Sequence, residues 1–233
     1  HFKLDDVKSA LVEQGIAGMT TTEVREYFRP NLWVNTPDIL TEYLQTGGRP
    51  AFMARLILAA TLGASYGMYG PAFELMEPVA IEPGTEEYLN GEKYEIRQWD
   101  IDRPDSLRDL IARVNHIRRG SPALQSNDDL RFVDVDNEQI IAYVKTTPDR
   151  SDTILTVVNL DPYHTHSGWL TMPLEDLGID PTQPFQAHDL LTDARYLWNG
   201  PRNYVELSPF AVPAHILRIH RRLRSERDFE YFM

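Results

Sequence analysis

The chain has 233 residues, 42% hydrophobic and 25% charged, which is enough for one large domain or two small ones with apolar cores. Its formal net charge of −12 argues against nucleic acid as a partner, because a phosphate-tracking surface needs a concentrated basic face. The absence of cysteine excludes disulfides, thiolate metal sites and a thiol nucleophile, and no stretch reaches the roughly 18 apolar residues of a membrane span, so a cytoplasmic protein with no membrane partner is expected.

In chain order, Leu4, Val7, Ala10, Leu11 and Gln14 fall near helical spacing, and Gly15 or Gly18 is placed to end that helix. Thr20 to Val24 is a short β-branched run. Leu32-Trp33-Val34 reads as a brief strand that stops at the turn-forming Asn35-Thr36-Pro37-Asp38. Arg49 to Leu62 predicts a helix that is apolar on nearly every side and therefore buried, with Pro50 suited to its first turn. Ser65 to Tyr69 predicts a second strand. The polar loop from Glu77 to Arg103 is long enough to expect a function of it. From Pro104 to Arg119 the spacing predicts an amphipathic helix, with Leu107, Leu110, Ile111, Val114 and Ile117 on one stripe.

Beyond Pro122 the period changes from helical to alternating. Strands are predicted over Leu130 to Val135, Gln139 to Thr146, Thr153 to Asn159, Ser167 to Met172, Gln186 to Leu190, Tyr204 to Leu207 and His215 to His220. That succession reads as an antiparallel sandwich, with the boundary between Pro122 and Asp129. Trp169 and Trp198 are expected in its core rather than stacked on a ligand. His164 and His166 are two apart but lack an evident third ligand, so the turn after Asp161-Pro162 is the preferred account of them. The basic run Arg218 to Arg227 reads as a solvated helical tail, residues 221–233.

The strand ending at Asp38 places a carboxylate where parallel α/β folds build active sites. An Asp in such a turn is also a common cap, and spacing leaves both readings open.

The run from Arg25 to Ile39, Arg-Glu-Tyr-Phe-Arg-Pro-Asn-Leu-Trp-Val-Asn-Thr-Pro-Asp-Ile, resembles barrel strand seven of the alpha-1,4-glucan:maltose-1-phosphate maltosyltransferases of the alpha-amylase family. Gly48-Arg49-Pro50-Ala51-Phe52, Gly67-Met68-Tyr69-Gly70, Glu92-Lys93-Tyr94-Glu95, Pro122-Ala123-Leu124-Gln125 and Pro213-Ala214-His215-Ile216 are similar to the same enzymes in the same order, and the resemblance covers Thr21 to His220. It implies an α/β plus all-β fold. Residues 21–122 would be the remnant of a (β/α)8 barrel, strands seven and eight with their helices, and residues 123–220 an antiparallel β-sandwich.

The activity implied is a retaining glycosyl transfer that moves maltosyl from maltose 1-phosphate to the non-reducing end of an alpha-1,4-glucan and releases phosphate. An Asp nucleophile on strand four and a Glu acid/base on strand five would stand about 5 Å apart across the anomeric carbon. Asp38 matches a third carboxylate, which stabilises the distorted, positively charged ring of the transition state. Lys93 and Tyr94 match a donor-side sugar contact, although Asn90-Gly91 stands where Asp-Ser is expected before them. Asn35 either orients Asp38 or caps the turn. No cofactor and no metal are called for, and a homodimer is implied for the parent enzyme.

Strands one to six are not in this sequence, and with them the nucleophile and acid/base, so an inactive fragment is expected. Separately, Phe2 to Arg25 resembles the start of a nitrogen-regulatory P-II protein, which would make residues 1–25 a P-II-like segment and put a chimaeric join within residues 21–25. Two other readings stand beside the enzyme part: a carbohydrate-binding or scaffolding β module without catalysis, and, more weakly, a P-II-type regulator.

Overall fold

The computed structural model describes residues 31–92 and 95–221. The P-II-like helix and strand, the Lys93-Tyr94 pair and the basic tail past residue 221 lie outside the described residues.

Strands β1 (Asn31–Trp33) and β2 (Ser65–Gly67) pair in parallel, with Asn31 opposite Ser65 and Trp33 opposite Gly67. Parallel neighbours need a crossover, supplied here by helices α1 (Glu42–Thr46) and α2 (Gly48–Leu62). Glycine is required at the last rung, since a Cβ on Gly67 would sit 2.6 Å from the Trp33 ring. Helix α2 is buried along most of its length, as its all-round apolar sequence predicts, and Phe52 meets Phe73 of α3 (Gly70–Glu74) at 5.1 Å between centroids. The long loop that follows is folded back. Tyr88 is buried and bridges Ala80, while Leu40 N–H donates to the Glu86 carbonyl. Helix α4 (Arg108–Arg119) begins four residues later than the sequence predicts, after turns over 104–107.

The last carbonyls of any helix lack intrahelical partners. At the end of α2 two cations provide them: Arg118 from α4 donates to the carbonyls of Ala60 and Ala64, and Lys145 donates to that of Leu62 at 3.2 Å. Burial pulls Lys145 down from its ordinary 10.5 to about 8, and the charge of Arg118 adds to the effect.

After a short 3-10 helix (Pro122–Gln125) come eight strands: β3 (Leu130–Val135), β4 (Ile140–Thr146), β5 (Thr153–Asn159), β6 (His166–Thr171), β7 (Phe185–Asp189), β8 (Arg195–Trp198), β9 (Arg202–Leu207) and β10 (Ala214–His220). They form one antiparallel sheet in the order β8-β7-β10-β5-β4-β3-β6-β9. Strand β3 bends the sheet, pairing with β4 through residues 130–133 and with β6 through 134–135.

The two outermost strands are consecutive in sequence. Only Asn199, Gly200 and Pro201 join β8 to β9, a link that spans at most about 14 Å, so the sheet curls until its edges nearly meet. Gly200 turns that corner at φ +67, a left-handed conformation that favours glycine. The expected two-sheet sandwich is therefore a single rolled sheet, close to a closed barrel. Strand β8 had not been predicted.

The roll encloses one core, which includes Val144, Leu155, Val157, Leu170, Phe185 and Leu217. A second core joins α2 and α4 to the outside of β5 and β10 through Ile154, Val158, Ala214 and Ile216. Strand β5 is consequently buried on both faces, and the helical segment is fused to the barrel wall.

Candidate functional site at the end of the parallel strands

Chain leaving β1 passes Val34, whose carbonyl accepts from Arg55 Nε of α2 at 3.2 Å, and turns sharply at residues 36–39. Thr36 and Ile39 close that turn with reciprocal backbone hydrogen bonds of 3.3 and 3.2 Å. Pro37 fits the turn, and Asp38 is presented at its exposed corner.

Asn35, by contrast, is 1% exposed and its amide is committed elsewhere. Its Oδ1 accepts from Tyr69 N–H at 2.9 Å, and its Nδ2 donates to the Tyr88 hydroxyl at 2.8 Å and to the Tyr69 carbonyl at 3.4 Å. The side chain thus ties the end of β1 to the end of β2 and to the long loop. Burial pushes the Tyr88 hydroxyl up to about 12, so it stays a neutral partner at every physiological pH.

The loop comes back against the Asp38 turn. A Cβ on Gly91 would lie 3.8 Å from the Pro37 carbonyl oxygen and 3.6 Å from that of Tyr88. Asn90 turns the chain there at φ 54, in the left-handed region that asparagine tolerates. Next in the chain, Glu92 is held by three bonds: its N–H donates to the Tyr69 hydroxyl at 3.1 Å, that hydroxyl donates to Glu92 Oε2 at 3.0 Å, and Trp99 Nε1 donates to Oε1 at 3.1 Å. Arg97 stacks 3.9 Å above Trp99 and pairs with Glu77.

The turn bearing Asp38 and the segment leading into Lys93 are therefore adjacent, although 50 residues of chain separate Asp38 from Tyr88. Joined by the hydrogen bonds above, Tyr69, Glu92 and Trp99 form a polar and aromatic group at that segment, which the sequence did not single out as site residues. For Glu92 and Trp99 the signal was present in the expectation that so long a loop has a function. Hydroxyls, a carboxylate and aromatic faces in one place are the groups that hold a sugar.

Elsewhere, Trp198 lies in the barrel core at 8% exposure, meeting Phe185 at 6.0 Å, as expected. Trp169 does not. It is 43% exposed on the outer face, beside Tyr204 at 5.5 Å and under Arg202, because β6 turns that position away from the roll. His164 and His166 converge on Asp161, a third group that their spacing had not offered.

A parallel strand-helix-strand unit fused to a rolled antiparallel domain, with a carboxylate beyond the first strand, defines an alpha-amylase-type fold. The crystal structure of an Anoxybacillus alpha-amylase superposes at a TM-score of 0.61, covering 87% of this chain and 41% of its own, with 15% identity. Within that class the sequence is more specific. Residues 132–219 match the family described as GLGE, C-terminal. The alpha-1,4-glucan:maltose-1-phosphate maltosyltransferase of Chlorobaculum tepidum is 50% identical over 226 residues, 94% of this chain and 33% of its own length, and that of Myxococcus xanthus is 44% identical over 232 residues, 100% of this chain and 34% of its own. The chain is similar to a C-terminal portion of these enzymes and spans about a third of the length of these relatives. The Myxococcus match runs through the first residues as well, and the P-II resemblance and its join gain no support.

Proposed function

We propose that this chain supplies the end of the catalytic barrel and the C-terminal domain of an enzyme that transfers maltosyl from maltose 1-phosphate to an alpha-1,4-glucan with release of phosphate. On this reading β1 and β2 are barrel strands seven and eight, residues 21–122 belong to the barrel and 123–220 to the C-terminal domain. Asp38 is the transition-state-stabilising carboxylate, Lys93 and Tyr94 contact the donor sugar, and Asn35 fixes the turn from below. The parent is a cytoplasmic homodimer, and the nucleophile and acid/base come from strands outside this sequence, so the chain alone releases no phosphate.

The observation that carries the reading is the position of Asp38, exposed in the tight turn just past a parallel strand, in a chain 50% identical to a maltosyltransferase. A carboxylate there faces the positive charge that develops on a sugar ring, and removing one such stabilising group lowers turnover by roughly 10²–10³-fold. The test is a chimaera in which this chain replaces the matching portion of the Chlorobaculum tepidum enzyme. Phosphate release from maltose 1-phosphate is expected, with Asp38→Asn slowing it by on the order of 10²–10³-fold and leaving the melting temperature unchanged. An Asp38→Asn chimaera as fast as its parent refutes the assignment.

A second reading, a glucan-binding β module, is favoured by the exposed Trp169 and Tyr204 pair on the barrel wall. Maltooligosaccharide binding lost in Trp169→Ala and intact in Asp38→Ala would support it.

A further inference from the structure

We infer that Asp161 and His164, on the loop between β5 and β6, and His166, at the start of β6, form a binding site for one divalent transition-metal ion of the zinc type. One carboxylate oxygen, Asp161 Oδ2, lies 2.8 Å from His164 Nδ1 and 2.9 Å from His166 Nε2, and the three atoms all fall within 4.8 Å of one another. Two imidazole nitrogens and a carboxylate oxygen are the donors that zinc takes, at bonds of about 2.0–2.2 Å, which places neighbouring ligands of a tetrahedral shell about 3.3 Å apart. To admit an ion the carboxylate backs away from each imidazole by a few tenths of an ångström, while the two imidazole nitrogens, within 4.8 Å of each other, settle to the same spacing.

The loop is already shaped for this. Asp161 Oδ1 accepts from Tyr163 N–H at 2.8 Å, and Asp161 N–H donates to Asn159 Oδ1 at 2.9 Å. Asn159 is 1% exposed at the end of β5 and donates in turn to the carbonyls of His164 at 2.9 Å and Leu207 at 3.2 Å. These bonds fix the backbone from which all three ligands project, the outer-shell support that ligand geometry depends on.

Solvent reaches the site on one side, because the His164 side chain is 76% exposed, so a fourth ligand can be water. The other side abuts the helical segment. Pro162 Cγ lies 3.0 Å from where a Cβ on Gly47 would stand, between α1 and α2, and the charge of Asp161 acts on the Tyr43 hydroxyl, which is buried without a hydrogen-bond partner. A bound ion would thus fasten the β5–β6 loop where the barrel meets the helices.

Titration of the chain with ZnCl2, followed by calorimetry, tests this, with CoCl2 as a coloured substitute. One zinc ion per chain is expected to bind saturably, and MgCl2 at the same concentration is expected not to compete. His164→Ala removes an exposed side chain, so it folds, checked by unchanged circular dichroism. It should weaken zinc at least tenfold and abolish the visible band of bound cobalt, and Asp161→Asn should act in the same direction. His116→Ala, on α4, should change neither. The absence of saturable zinc binding, or equal affinity in wild type and His164→Ala, overturns the site and leaves Asp161 as an ion-pair partner of the two histidines only.

Discussion

Lys145 is a cation with no exposed surface, where the end of α2 meets the barrel wall, and its replacement by methionine tests how that junction is held together. Methionine fills a similar volume and carries no charge. The folded side chain gives up its proton near pH 8 and the unfolded one near 10.5, so between those values the unfolded chain holds more protons and stability rises with pH. The drop from 10.5 to about 8 corresponds to a penalty of about 3 kcal/mol for burying the charge below pH 8, most of it relieved by pH 10. Against that stands the single bond to the Leu62 carbonyl, worth about 1 kcal/mol. At pH 7, Lys145→Met should accordingly be about 2 kcal/mol more stable than the parent chain in urea unfolding. By pH 10 the advantage should vanish. Burial also holds several tyrosines protonated, but that contribution is common to both proteins and cancels in the difference. A Met variant that is less stable at pH 7, with a difference that stays flat to pH 10, refutes the reasoning and shows that Lys145 is held as a well-compensated charge.

Asn35→Ala strips three hydrogen bonds and leaves the Tyr69 N–H and the Tyr88 hydroxyl buried and unpaired, so a loss of about 2–4 kcal/mol is expected in urea unfolding. Should it instead be neutral, the residue serves the turn and not the junction. The two tryptophans of the barrel separate packing from exposure: Trp198→Ala should cost about 3–5 kcal/mol, whereas Trp169→Ala should cost under about 1 kcal/mol, and thermal melts of the pair distinguish them.

Much of the architecture was legible because periodicity and turn chemistry are local. The alternation of Gln139 to Thr146 and Thr153 to Asn159 predicts β4 and β5 to within a residue. The all-round apolar character of α2 predicted burial, which helix α4 and the barrel wall supply. Strand β8 escaped notice because Arg-Tyr-Leu-Trp is short and its first three residues are exposed, so it has no core-facing alternation to display. Short helices α1 and α3, five residues each, carry too few turns for a period to show.

At the candidate site, sequence placed Asp38 past a strand and left Asn35 with two roles open. The fold commits the Asn35 amide to Tyr69 and Tyr88, partners 34 and 53 residues away that no local pattern can indicate. The same holds for Trp169 and Trp198. Both sit in strands with aromatic neighbours, and only the curl of the sheet decides which face is inside. His164 and His166 had a third ligand three residues upstream, hidden because a turn rather than a strand or helix brings Asp161 back to them.

The sequence by itself thus determined most of the elements, the order of α/β and all-β parts, and the enzymes that the chain resembles, since all of these are written in residue types at short spacing. The tertiary structure alone decided that the sheet rolls into a near-barrel, that β5 is buried on both faces, and that Asn35 is a tie between strands. Those outcomes depend on which surfaces meet, and contacts between residues far apart in the chain are set by the burial of the whole core rather than by any one segment.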